Sequence, residues 1–356
     1  MASVRQIAAH AGISVATVSR ALNDKPNVSP LTRNRVLASA RALGYQQQQL
    51  VTISDTIALA YPQEIVHSEY GAFDAALLSG VLKGLGAHRV DLIILSIERD
   101  KRPEESYASF FRRKGVGGVI LRSFDNSRQV AERITEERFP MIVVADRFEN
   151  STVNFVCTCS FEDSQRAVEH LVHLGHKRIG LGIHHVRDTD HRDRFEGYKT
   201  ALEDHGLEYD PSLVVDIVAD IRGGASCVRH LIGLSSPPSA VFFTDPTATL
   251  GAIHGCHELG IRVPEDLSLI GFDDSDVRYH ASPPFTAVCQ DAGQLGFEAT
   301  QWLIKRISGE TREPLQHVRP TRFEINQTTS SPSGRLSRIV RNSDGEDERN
   351  LDDAAG

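Results

Sequence analysis

Apolar residues follow two different rhythms along this chain. Over residues 3–45 they recur at helical spacing in three short stretches, and from Ile57 onward short continuous apolar runs alternate with longer amphipathic segments. In the first region Ser3 followed by Gln6 is a capping-box pattern, and Ala11-Gly12 breaks the helix it opens. Ser14 can cap a second helix ending near Leu22, before Asn23-Asp24-Lys25-Pro26. Ser29-Pro30 places a cap and then a proline at the first position of a third helix, which Gly44 would close. Four glutamines at 46–49 carry no packing pattern and read as linker. The expected division is a helical domain at 1–46, a linker at 47–56, an α/β domain at 57–330 and a disordered, Ser-, Asp- and Arg-rich tail at 331–356.

The apolar runs at 57–61, 92–97, 118–121, 141–145, 179–183, 213–218, 240–244 and 267–272 are strand-length and apolar on both faces. Helix-length patterns separate them, among them 161–174, 192–205 and 246–259. Strand and helix in alternation predict a parallel, doubly wound sheet with helices on both sides. Some 270 residues of it suffice for two such lobes, with no repeat visible between them in sequence.

The second helix carries the most information. With Val18 set toward the core, a rotation of 100° per residue brings Val15, Ala21 and Leu22 within about 60° of it. Ala16 and Arg20 then point outward one turn apart, flanked by Thr17 and Ser19. A small residue, an arginine and two hydroxyls on one face suit a helix lying in a DNA major groove. There arginine can pair with guanine edges and hydroxyls can reach phosphates. Charge changes the picture in the same direction. The whole chain is at −8, yet residues 1–50 hold six cations against the single acid Asp24. A basic head on an acidic body fits a protein that meets phosphates at one end only.

The segment from Val4 to Asn23 (VRQIAAHAGISVATVSRALN), with Val28-Ser29-Pro30-Leu31-Thr32-Arg33 and Leu43-Gly44-Tyr45, closely resembles the headpiece of the lactose-repressor (LacI/GalR) family. That resemblance implies base selection by Val15 and Ala16, a guanine contact from Arg20, and backbone contacts from Thr17, Ser19, Asn23, Ser29, Thr32 and Tyr45. It extends over the body through Leu174-Gly175-His176-Lys177-Arg178-Ile179, Arg194-Phe195-Glu196-Gly197-Tyr198 and the stretch from Leu259 to Asp274. It implies a sensing domain like a periplasmic sugar-binding protein of type I. Its N-lobe would span about 57–158 plus 291–321 and its C-lobe about 159–290 plus 322–330, joined by three crossing segments around a ligand cleft. Two departures stand out. The family's hinge helix, whose leucine wedges into the minor groove, has no counterpart in the short linker, where Leu50 is the only nearby apolar residue. Cys159-Ser160 and Thr244-Asp245 also replace the family's usual polar pairs, which points away from its familiar hexose and purine ligands.

Position nominates the cleft residues. Asp146, Asp245, Asp273 and Asp274 end apolar runs, Arg194 is expected to open a helix, and the resemblance adds Gln290. Carboxylates and one arginine at strand ends suit a polyol such as a carbohydrate, with Phe73 stacking on its face. The effector-binding set is thus Phe73, Asp146, Arg194, Asp245, Asp274 and Gln290. The histidines at 170, 173, 176, 184, 185 and 191, and Cys157-x-Cys159, lack the converging spacing of a metal site. No nucleophile elbow, phosphate loop or dinucleotide fingerprint occurs, so the sequence predicts neither an enzyme nor a cofactor. No apolar run approaches membrane-span length and the first residues lack a signal-peptide pattern, so the expected compartment is the cytoplasm. One headpiece contacts too little DNA for strong specificity, which predicts a homodimer on a palindromic operator, with repression as the family's default.

Overall fold

The computed structural model describes residues 3–22, 28–43, 55–63, 71–86, 88–124, 127–185 and 188–335. Asn23, Tyr45, Leu50, most of the expected linker and all but the first five residues of the expected tail lie outside the described residues. The chain divides into two compact units, Met1–Ser54 and Asp55–Gly356.

The first unit holds α1 (Val4–Ala11), α2 (Val15–Leu22) and α3 (Pro30–Ala42). Both arms of the predicted capping box form: the Gln6 N–H donates to Ser3 Oγ at 3.3 Å, and the Ser3 N–H donates to Gln6 Oε1 at 2.7 Å. Gly12 stops α1 in the left-handed region at φ 61°, a conformation costly for residues with a Cβ. The core of this unit is Ile7, Ala8, Val18, Ala21, Val36 and Ala40. Alanines at three of those six positions let the short helices approach closely.

The second unit runs β1 (Thr56–Tyr61), α4 (Ala72–Leu85), β2 (Asp91–Ser96), α5 (Ile97–Asp100), α6 (Tyr107–Arg113), β3 (Gly118–Arg122), α7 (Arg128–Glu136), β4 (Met141–Val144) and β5 (Phe155–Cys159). It continues with α8 (Phe161–His173), β6 (Ile179–His184), α9 (Thr189–Asp204), β7 (Val214–Ile217), α10 (Ile221–Ile232), β8 (Ala240–Phe243), α11 (Pro246–Glu258), β9 (Ser268–Asp273) and β10 (Thr286–Cys289). It closes with α12 (Ala292–Ser308), β11 (Gln316–Pro320) and β12 (Arg322–Glu324).

Two six-stranded sheets result, ordered β2-β1-β3-β4-β5-β11 and β7-β6-β8-β9-β10-β12. Pairing is parallel throughout except where β12 runs against β10. The chain passes between the sheets after β5, after β10 and between β11 and β12, and α12 packs on the first sheet with β1, β3, β4 and β5. Although no repeat is visible in sequence, both lobes share one strand order, with the second strand outside the first and the third on its other side. The order reverses beside β1 in one lobe and beside β6 in the other. At such switch points the helices leave on opposite faces and a crevice opens at the C-terminal strand ends.

Backbone contact fixes the first lobe. A Cβ on Gly80 would lie 1.8 Å from the Gly293 carbonyl oxygen, and one on Gly296 would lie 2.2 Å from that of Leu77, so α4 and α12 meet without intervening side chains. The structure corrects one placement: Arg194 does not open its helix. Asp188 caps α9 by accepting from the His191 N–H, so the helix starts at Thr189 and Arg194 lies one and a half turns inside.

Candidate functional site

On α2, Ala16, Ser19 and Arg20 are exposed while Val18 and Ala21 are buried, as the helical wheel requires. Val15 departs from the wheel: it is 47% exposed, because the first residue of α2 projects past the small core. Val15, Ala16, Ser19 and Arg20 therefore form a continuous accessible surface. Ser14 Oγ accepts from the Thr17 N–H at 3.2 Å and lies 2.8 Å from Thr17 Oγ1. Ser29 and Thr32 repeat that arrangement at the start of α3, with the same two distances. Both helices thus begin with a hydroxyl pair over backbone N–H groups, at the end where the helix dipole favours anions.

The second candidate lies between the lobes, at the strand ends of the two switch points. Phe73, Arg194, Asp245, Asp274 and Gln290 line this cavity, and Gly71, Asp74, Arg122, Phe124, His184, Asp188, Asp190 and His191 line it with them. Five of the six nominated residues are thus brought together. Asp146 is not: its Oδ1 accepts from Arg128 at 2.6 Å and from Thr189 at 2.5 Å, tying the lobes together outside the cavity. As it stands the cavity measures about 50 Å³. That is room for a few waters, since one needs roughly 10–15 Å³.

The space is small because the walls are paired with each other. Arg122, which ends β3, donates through both terminal nitrogens to Asp188 of the opposite lobe at 3.1 Å. Its guanidinium lies 4.7 Å from the Phe73 ring centroid and 4.4 Å from that of Phe124. The face of Phe73 expected to stack on a sugar therefore carries an arginine. His191 Nδ1 sits 2.8 Å from the other Asp188 oxygen. Burial opposes charge on Asp188, but His191 and Arg122 outweigh it and hold the carboxyl far below its usual range. Arg194 pairs with Asp190 and donates to the Thr244 carbonyl at 2.5 Å, with its guanidinium over the Phe272 ring. Ser160, one of the departures from the family pattern, donates to Asp190 at 2.5 Å.

Two lining acids behave differently. Burial pushes Asp245 up to about 6 against the Ala248 N–H that it caps, and Asp274 up to about 7 against Arg194 and a 2.6 Å hydrogen bond from Gln290. Near neutral pH Asp274 can therefore donate or accept a hydrogen bond while Asp245 chiefly accepts, and a hydroxyl group of a ligand answers either. Outside the cavity Arg147 grips Asp193 with two bonds of 2.6 and 2.7 Å, a further tie between lobes.

Sequence reasoning did not single out Arg122, Asp188 or Asp190, and it grouped His184 and His191 with the other histidines. A signal existed for Arg122, a lone charge ending an otherwise apolar strand, and for Asp188, the cap of α9. The remaining histidines go elsewhere. His170 meets Thr329, and His176 bridges Ser239 and the Ser330 carbonyl. Among the described residues no helix is long and apolar enough to cross a membrane.

Known proteins align with both units. Residues 3–48 match the family described as bacterial regulatory proteins, lacI family, and residues 168–329 match a periplasmic binding protein-like domain. The transcriptional regulator CelR of Thermobifida fusca is 29% identical over 336 residues, 92% of this chain and 98% of that protein. The transcriptional repressor PurR of Haemophilus influenzae is 26% identical over 319 residues, 90% of this chain and 95% of that protein. A solved complex of CelR with cellobiose superposes with a TM-score of 0.66 at 28% identity, covering 92% of this chain and all of that one. A lacI-family headpiece joined to a periplasmic-binding-protein-like domain, aligned along nearly the whole chain with such regulators, makes this protein a DNA-binding transcriptional regulator similar to those of the LacI family.

Proposed function

We propose that the protein is a homodimeric repressor that binds a palindromic operator through α2 and is controlled by an uncharged sugar or sugar-like effector held between the lobes. In this reading Val15, Ala16 and Arg20 meet base edges, and Thr17, Ser19, Asn23, Ser29, Thr32 and Tyr45 hold the phosphate backbone. Phe73, Arg194, Asp245, Asp274 and Gln290 contact the effector, while Asp146 positions the lobes. Five acids against two arginines around the cavity favour a polyol over an anion.

The observation that carries this reading is the cavity's place, at the paired switch points of two α/β lobes, closed by ion pairs that cross from lobe to lobe. A ligand that inserts there must exchange those pairs for its own bonds. It thereby shifts the equilibrium between lobe arrangements, which is the element an effector needs to bias. The test has two parts. Selection from a random duplex library yields the operator, and anisotropy titration of that operator is repeated with a panel of neutral sugars at millimolar concentration. One of them changes affinity at least several-fold. No enriched inverted repeat, or an operator affinity indifferent to every sugar that raises the melting temperature, rejects the proposal.

A further inference from the structure

We propose that His184 is a specificity-determining residue of the effector cavity, its Nε2 exchanging a hydrogen bond with a hydroxyl group of an uncharged, polyhydroxylated ligand. This rests on the reading of the cavity given above and goes beyond it in naming a contact and a ligand class. His184 is the last residue of β6, the strand at the switch point of its lobe, in the position Tyr61 holds at the end of β1 in the other. Its backbone N–H donates to Thr244 Oγ1 at 3.2 Å, and its ring packs edge-on against His185 at 4.8 Å. The side chain is 9% exposed, and its Nε2 is buried with no hydrogen-bond partner.

That orphaned atom stands out against its neighbours. Arg122 is paired with Asp188, Arg194 with Asp190, Asp274 with Gln290, and Asp245 with the start of α11. The Nε atoms of both arginines also lack a hydrogen bond, but the other nitrogens of each guanidinium are already committed to carboxylates and carbonyls. A buried polar atom with no partner destabilises the fold and is kept where something else supplies the bond. Burial, with His191 and His185 nearby, pushes His184 down to about 3, so the ring meets its ligand neutral. A neutral imidazole nitrogen donates or accepts according to tautomer, and a sugar hydroxyl answers either. A carboxylate or phosphate would instead meet the surplus of aspartates.

The test uses the full-length protein as wild type, His184→Leu and His184→Gln. Melting temperatures are measured alone and with ribose, xylose, glucose, cellobiose, glucuronate or glucose 6-phosphate. Without ligand, His184→Leu melts about 2–4 °C above wild type, since an apolar group replaces an unsatisfied one. One neutral sugar raises the wild-type melting temperature; that rise disappears in His184→Leu and survives in part in His184→Gln, which keeps a polar nitrogen there. A His184→Leu protein that melts below wild type shows that the imidazole has a structural partner and overturns the inference. A sugar response left intact in His184→Leu overturns it as well, while sparing the cavity. A response to glucuronate or glucose 6-phosphate alone overturns the ligand class. Silence of the wild type toward the whole panel removes the reading of the cavity, and the role of His184 with it.

Discussion

The DNA-facing helix and the interlobe cavity solve recognition in opposite ways. On α2 the candidate contacts come from one eight-residue segment, lie at the surface and follow from the period of a single helix. In the cavity they come from the ends of β3, β6, β8, β9 and β10 and from the starts of α4 and α9, and most are buried and bonded to one another. A groove-reading surface needs its base-reading side chains exposed in the absence of DNA. A ligand cavity that closes on itself satisfies its charged groups internally, so a ligand competes with the protein's own pairs. The first site is thus cheap in stability and the second is coupled to it.

Substitutions can break that contrast, and the largest effect belongs to the cavity. Asp188→Ala leaves the Arg122 guanidinium, 5% exposed, without its partner from the other lobe. We expect a loss of about 3–5 kcal/mol in denaturant unfolding of the second unit. Arg147→Ala breaks a pair whose arginine is far more exposed and costs no more than about 1 kcal/mol. Equal losses from the two would show that burial does not set the cavity apart.

Next in size is a dependence on pH. Asp274 holds its proton to about pH 7 in the fold, against an ordinary value near 3.8. Between those limits the folded state binds more protons than the unfolded chain, so stability from this group is full below about pH 4 and is lost as pH rises toward 7. From pH 5 to 7 the loss is on the order of 2 kcal/mol, and Asp274→Asn removes it. Melting curves of both proteins across that window check the sign; a wild type whose excess stability over Asp274→Asn grows with pH contradicts it.

Smaller effects belong to the headpiece. Ser14→Ala removes the cap of α2 and costs about 1 kcal/mol in operator affinity or headpiece stability. Leu50→Ala, in the short linker, changes DNA affinity by less than about 1 kcal/mol, because the sequence there lacks the family's wedge-bearing hinge. A loss of several kcal/mol would mean that Leu50 intercalates after all.

How much the sequence disclosed follows the same division. The caps at Ser3, Ser14 and Ser29 and the outward face of α2 are local properties, and local pattern suffices for them. Val15 was misjudged because a wheel assumes a core along the whole helix, whereas on α2 the buried positions begin only at Val18. The strands buried on both faces, such as β3, β8 and β9, stand out as apolar runs. Edge strands β11 and β12, with alternating or partial burial and few apolar residues, do not. In the cavity, position at a strand end identified Asp245 and Asp274, but Asp146 ends a strand and turns outward to Arg128 and Thr189. The charge ending β3 and the cap of α9 marked Arg122 and Asp188 only as polar positions, since their pairing joins two lobes across 66 residues of chain and no local pattern records it.

The central claim is that the outward surface of α2 reads base pairs, with Arg20 as its sharpest contact, and selection from a random duplex library by wild type and Arg20→Ala tests it most directly. The account predicts an inverted-repeat site for the wild type, and for Arg20→Ala the loss of preference at one base pair in each half-site, with about 10–100-fold weaker specific binding. An unchanged site bound as tightly by Arg20→Ala, or no enriched site at all, contradicts it.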